Sequence, residues 1–412
     1  MIEENVLKPD GGGSRRGFAH WRDARVAGFV ARRLSGVTKG RLQLTLPSGR
    51  LVVLGSGGGV EAELRLSSYA LAWRALRRGT LGFAESYIDG TADSPDIGAV
   101  LRFFLVNYAA FEGAGRGWFR ARMPDRLAHR ARRNSRAGSR RNIAAHYDLG
   151  NAFYELWLDP GMTYSSGIYQ GSATSLAAAQ AAKNAAILAA LSPLDGKRVL
   201  EIGCGWGGLS EELARAGADV AAITVSREQH AYAQARIAAE GLADRVDVRF
   251  EDYRDVTGAF DHIASVEMIE AVGEEHWPVY FQTLADRLVP GGSAVIQAIT
   301  IREESFAAYQ RHPDFIQRYI FPGGMLPTVS IMRAQAQAAG MEFEPISQFG
   351  LSYARTLRDW RARFDEAWPR INALGFDERF RRMWMYYFIY CEVGFETGIT
   401  DVGHYKLTRR RP

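Results

Sequence analysis

Cysteine is nearly absent from this chain: Cys204 and Cys391 are the only two in 412 residues. They lie far apart in sequence, so no disulfide framework is expected. No run approaches the roughly 18 uninterrupted apolar residues that a membrane-spanning helix needs. The leading residues 1–16 are polar and glycine-rich and lack the apolar core of a secretory signal, so the expected location is cytoplasmic. The first hundred or so residues hold no cluster of His, Cys or acids able to carry chemistry alone, and no metal site is expected anywhere.

What is present is ordinary globular material, 47% hydrophobic and 24% charged, and long enough for two or three domains. The net charge of +5 is unevenly spread. Between Arg116 and Arg141 stand ten arginines against one acid, Asp125, which leaves the rest of the chain net acidic. Such a segment suits nucleic acid or the anionic face of a membrane, or serves as a solvated linker. Trp118 and Phe119 beside it favour an interfacial contact.

The pattern changes across this segment. Before it, a helix is expected from about Trp21 to Leu34. A hairpin follows through Leu42, Leu44 and Leu46 to Leu51–Leu54, then a strand from Val60 to Leu66. Helical spacing covers Tyr69 to Arg78 and Ile97 to Phe111, with Gly79 and Asp89-Gly90 as breaks. This gives a small α+β domain over 1–112 and a linker over 113–141. After Asp195, apolar strands alternate with helices: Arg198–Ile202, Asp219–Thr224, Val246–Phe250, His262–Val266 and Ser293–Ile299. That alternation predicts an open, Rossmann-like α/β sheet within a second domain over 142–412.

The strongest motif is Glu201-Ile202-Gly203-Cys204-Gly205-Trp206-Gly207, a buried strand running into a glycine turn and a helix. Such a turn lets backbone approach a ligand closely, and the spacing alone fits a dinucleotide as well. Three features point away from NAD. Glu201 precedes the first glycine by two residues, where it can meet the ammonium of an amino-acid moiety. The next strand ends in Thr224-Val225-Ser226 and not in a ribose-binding acid. Glu251-Asp252-Tyr253 follows the third strand, where an acid and an aromatic suit an adenine. Together these resemble the class I S-adenosylmethionine-dependent methyltransferases.

Further stretches resemble the cyclopropane-fatty-acyl-phospholipid synthase family, which includes the mycolic acid cyclopropane synthases. In chain order they run through His146-Tyr147-Asp148, Met162-Thr163-Tyr164-Ser165-Ser166, Thr224 to Gln229, Met268-Ile269-Glu270, Tyr319 to Gly324 and Tyr353-Ala354-Arg355. The likeness spans about residue 140 to the C-terminus. It implies a class I methyltransferase fold using S-adenosylmethionine, with Tyr164, Ser165, Gly203, Gly205, Thr224, Gln229, Asp252 and Tyr253 at the co-substrate. Glu201, Gly207 and Ser226 join them from the motif itself. Glu270, Tyr353 and Gln297 to Ile299 would surround the reacting carbons.

In the family the inner site holds bicarbonate, bound by a Cys, a Glu, a His, a Tyr and a backbone group. Here the Cys position reads Ser166 and the His position reads Gln297. Glu267 stands near Glu270 and is expected to support it. Tyr319, Phe321, Tyr353, Tyr386, Tyr387 and Phe388 are candidate faces for a carbocation, which aromatic rings attract without trapping.

The implied substrate is the double bond of an unsaturated acyl chain of a membrane phospholipid, giving a cyclopropane fatty acid. A methyl-branched or methyl-unsaturated chain is the alternative product. The implied setting is the inner face of a membrane, reached through Arg116–Arg141, and the reading allows a homodimer. Two other classes are a nucleic-acid methyltransferase, for which no recognition module is seen, and an inactive lipid-binding protein. No nucleic-acid partner is expected.

Overall fold

The computed structural model describes residues 36–108, 149–171 and 174–411. The helix expected near Trp21, the arginine-rich segment and His146 lie outside them. The chain forms two compact units. Among the described residues, the first comprises 36–108, 312–315 and 376–393, and the second comprises 149–311, 316–375 and 394–411.

The first unit carries a four-stranded sheet in the order β2-β1-β3-β4. Its strands are β1 (Gly40–Thr45), β2 (Leu51–Gly57), β3 (Glu61–Leu66) and β4 (Ala92–Asp93). β1 and β2 form the expected hairpin, and β3 pairs parallel with β1. Leu42, Leu44, Leu64 and Leu66 alternate with exposed or half-buried neighbours, so one face supplies the core.

The stretch between Gly79 and Asp89 is itself a helix, Thr80–Ile88. It shows little sequence periodicity because it is buried nearly all round. Gly82 is required there, since a Cβ would stand 2.2 Å from the Arg74 carbonyl oxygen of the preceding helix. The C-terminal part of the chain also contributes to this unit. Arg382 donates to the carbonyls of Tyr87 (2.6 Å) and Ala92 (3.1 Å), and Tyr390 donates to Asp314.

The second unit holds a seven-stranded sheet in the order β10-β11-β9-β8-β5-β6-β7. The parallel strands are β5 (Arg198–Ile202), β6 (Asp219–Thr224), β7 (Val246–Phe250), β8 (Phe260–Val266) and β9 (Leu288–Ile301). β10 (Met341–Gln348) and β11 (Thr400–Arg409) extend the sheet antiparallel beyond β9. Strands covered on both faces read as continuous apolar runs, as β5 and β6 do.

Alternate residues of these strands serve opposite cores. Leu200, Ile202, Ile263 and Ile296 pack with Trp277, Tyr280 and Leu284 on one face. Val199, Val220, Ala264 and Val295 pack with Ile187, Leu213 and Ile237 on the other. The strand order reverses between β5 and β8, which opens a crevice at their carboxyl ends. Among the described residues, no helix is long and apolar enough to cross a membrane.

Candidate active site

β5 delivers the glycine turn to one wall of that crevice. The amides of Gly203 and Cys204 both donate to the Ile223 carbonyl of β6, at 3.0 Å each. Gly203, Gly205 and Gly207 have φ of 83°, 54° and 85°, a left-handed region that glycine enters freely. Gly205 faces open space, with nothing within 4 Å of where its Cβ would be. The turn thus presents bare backbone and an acid just before it, an arrangement suited to an amino-acid moiety. Glu201 is buried and accepts a short hydrogen bond from Ser210. Burial pushes its carboxyl up to about 7, opposed by the Ser210 bond and by Lys183.

The ends of β6 and β7 supply the next residues. Thr224 Oγ1 donates to Gln229 Oε1 at 3.0 Å and accepts from the Ser226 amide at 3.2 Å. Ser226 in turn caps the following helix through the Gln229 amide at 3.3 Å. This network fixes the β6 turn. Asp252 is buried and held by Arg254 through two bonds of 2.8 and 2.6 Å. Tyr253 packs edge-on against Tyr280 within the core, with ring centroids 5.7 Å apart.

The segment from Met162 to Tyr169 closes over the crevice. Tyr164 sits among Tyr154, Trp157 and Trp360, with ring centroids 5.2 to 5.6 Å away. Phe321 lies 6.4 Å from it. The Ser165 carbonyl accepts from Gln180 Nε2 at 2.7 Å, and its hydroxyl lies 3.4 Å from the buried Lys183 ammonium.

Ser166 begins the inner site, whose hub is Glu267. One Glu267 oxygen accepts from the Ser166 amide and from Gln297 Nε2, both at 2.8 Å. The other accepts from the Tyr353 hydroxyl at 2.6 Å. The Tyr353 ring stacks on Phe395, 4.4 Å away. Glu270 follows on a single 3-10 turn, Ile269–Ala271, and its Oε1 accepts from the Ile299 amide at 2.5 Å. Its Oε2 is buried without a partner.

Burial raises both acids, and Glu267 raises Glu270 further, to about 8. Three donors hold the charge on Glu267, and the orphaned Oε2 of Glu270 is the atom left to carry a proton. Geometry therefore favours Glu270 over Glu267 as the holder of any proton the pair shares.

Glu267 also has φ 48°. A side chain in the left-handed region costs about 1–2 kcal/mol. The strain is held by the Glu267 amide, which donates to the Gln297 carbonyl at 2.8 Å. Strained residues of this kind concentrate at functional sites.

The inner site thus gathers Ser166, Gln297, Ile299, Tyr353 and Glu270 around a residue expected only to support them. Glu267 had one visible signal, an acid placed directly after a buried strand. Lys183 had another, a lone cation in the alanine-rich helix Leu176–Leu191. Ser166 through its amide, Gln297 and Tyr353 all donate to the Glu267 carboxyl group, while the Ser166 hydroxyl donates to the Gly167 carbonyl.

Tyr386, Tyr387 and Phe388, expected at a carbocation, are buried residues of the first unit. Tyr386 packs there on Tyr87 and Phe315, at 5.7 and 4.8 Å. Burial also pushes the Cys204 and Cys391 thiols up, away from reactive thiolates. Among the described residues no group of three or more His, Cys, Asp or Glu is placed to hold a metal.

Residues 134–405 match the family model described as mycolic acid cyclopropane synthetase. The chain is 40% identical over 358 residues to the tuberculostearic acid methyltransferase of Mycobacterium tuberculosis, covering 83% of this chain and 82% of that protein. It is 36% identical to the cyclopropane-fatty-acyl-phospholipid synthase of Escherichia coli, covering 82% and 85%. A mycolic acid cyclopropane synthase solved with SAH and CTAB superposes with TM-score 0.62 at 27% identity, over 66% of this chain and 98% of that structure. The glycine turn, the acid before it and these likenesses lead to one conclusion: the chain belongs to the mycolic acid cyclopropane synthetase family and is an S-adenosylmethionine-dependent methyltransferase with the class I fold.

Proposed function

We propose that the protein methylates a double bond in an unsaturated acyl chain of a membrane phospholipid, with Glu267 as the proton acceptor. The observation that carries this reading is the Glu267 carboxyl group, anchored by Ser166, Gln297 and Tyr353 beside the buried Glu270. S-adenosylmethionine supplies an electrophilic methyl group on a sulfonium. Glu201 binds its ammonium, the turn from Gly203 to Gly207 meets it with backbone, and Thr224, Ser226, Gln229, Asp252 and Tyr253 shape the remaining pocket. Tyr164 and Ser165 close over it.

An isolated alkene is a weak nucleophile, so orientation in a dry pocket does most of the work. One carbon of the double bond forms a bond to the methyl group as the sulfur–methyl bond breaks, leaving positive charge on the other carbon. Tyr164, Tyr319, Phe321 and Tyr353 offer ring faces to that charge. Glu267 then takes a proton from the new methyl, and the freed electron pair closes a cyclopropane ring.

A second product reading, a methyl-branched or methyl-unsaturated chain, draws support from the relative named a tuberculostearic acid methyltransferase. The departures at Ser166 and Gln297 from the ring-forming set point the same way. Access to the bilayer is assigned to Arg116–Arg141 at the cytoplasmic face, a segment outside the described residues.

The test is incubation with S-adenosylmethionine and vesicles of unsaturated phospholipid, followed by mass spectrometry and proton NMR of the fatty acids. A gain of one methylene supports the reading. Ring proton signals then identify the cyclopropane, and methyl or vinyl signals identify the second product. Bound S-adenosylmethionine without any gain would overturn it.

A further inference from the structure

Gln297 is fully buried, and both ends of its amide are committed. Nε2 donates to Glu267 Oε1 at 2.8 Å and to the Ser166 carbonyl at 3.3 Å. Oε1 lies 2.9 Å from His404 Nε2. His404 stands directly across the ladder from Gln297, on β11. It is only 1% exposed, and Phe349 packs edge-on against its ring at 5.0 Å.

An amide can be turned over about its last bond with almost no change of shape. The reversed setting would press the Gln297 carbonyl onto the Glu267 carboxylate and the Ser166 carbonyl, acceptor against acceptor. A neutral imidazole carrying its proton on Nε2 favours the observed setting, because it requires an acceptor from Gln297. Burial, reinforced by the Lys183 charge, lowers His404 to about 4, so the ring is neutral near pH 7.

We propose that His404 is a positioning residue for methyl transfer: its Nε2–H fixes the Gln297 amide, which in turn aims and holds the Glu267 carboxylate. The inference rests on the reading of Glu267 as proton acceptor. It also gives a reason for a histidine at 404, which stands directly across from the Gln297 amide on the neighbouring strand.

The experiment compares His404→Leu, which removes the donor, with His404→Gln, which keeps an N–H. Losing one buried hydrogen bond to a positioned group corresponds to about tenfold or more in rate. The leucine variant should therefore lose about that much kcat, with the KM for S-adenosylmethionine within about twofold, and His404→Gln should recover most of the loss.

Nitrogen-15 NMR of histidine-labelled wild type, which does not depend on any variant folding, should show a neutral ring protonated on Nε2. A ring protonated on Nδ1 would overturn the proposal, as would unchanged kcat in His404→Leu or equal losses in both variants. Failure of the underlying reading shows separately, as wild-type rates in Glu267→Gln.

Discussion

The two walls of the crevice are built on opposite principles. The glycine turn after β5 offers backbone and owes its shape to residues without side chains, at φ values glycine adopts at little cost. The wall after β8 reaches a left-handed φ with a glutamate, and pays for it with hydrogen bonds to Gln297, Ser166 and Tyr353. In the proposed reading the first wall binds and the second reacts, with the Glu267 side chain as the point of the strain.

The largest expected effect separates the walls by function. Glu267→Gln keeps the shape but removes the base, and methyl transfer should fall about 10²–10⁴-fold. S-adenosylmethionine affinity, measured by calorimetry on the same samples, should stay within about twofold if binding belongs to the other wall.

The reciprocal change is Gly207→Ala. Its φ of 85° and a Cβ 3.2 Å from that of Ala233 make it strained twice over. The backbone term alone is about 1–2 kcal/mol, read as a lower unfolding free energy in denaturant and weaker S-adenosylmethionine binding.

A third test uses pH. Glu270 has an ordinary value of 4.5 and lies near 8 in the fold. The folded state therefore holds a proton that the unfolded chain releases. This contribution is fully present below about pH 4.5 and is lost as pH rises through about 8. Thermal unfolding from pH 6 to 9 should show a decline in wild type that is flattened in Glu270→Gln.

The last test concerns neither wall. Replacing Arg130, Arg132, Arg133 and Arg136 with Ser should reduce sedimentation with anionic vesicles, each arginine near the surface counting for about 1 kcal/mol. Catalysis on detergent-dispersed lipid should not change. Unchanged sedimentation at low salt would refute this membrane contact.

The contrast between the walls also explains what the sequence reveals. β5 and β6 were legible because strands buried on both faces leave near-continuous apolar runs, β7 because its apolar residues alternate, and the glycine turn because its spacing is a backbone requirement. β10 and β11 were not. β10 is an edge strand with Pro345 at a register shift, and β11 carries Gly403 and Lys406 among its apolar residues. The helix Thr80–Ile88 was hidden for another reason, since an element buried all round has no stripe.

Ser166, Gln297, Tyr353 and Glu270 came from resemblance, and the structure gathers them. Glu267 and His404 depend on contacts between residues 101 and 107 positions apart in the chain, which no local pattern carries. Tyr386, from the ring-rich helix that suggested an aromatic wall, packs on Tyr87 and Phe315 in the first unit.

The central claim of the proposed reading is that the protein's own carboxylate, and not a bound bicarbonate, takes the proton. The direct measurement is methyl transfer by wild type in degassed, bicarbonate-free buffer and after bicarbonate is added back. The account predicts the same rate in both. A rate that collapses without bicarbonate and returns with it would contradict the account.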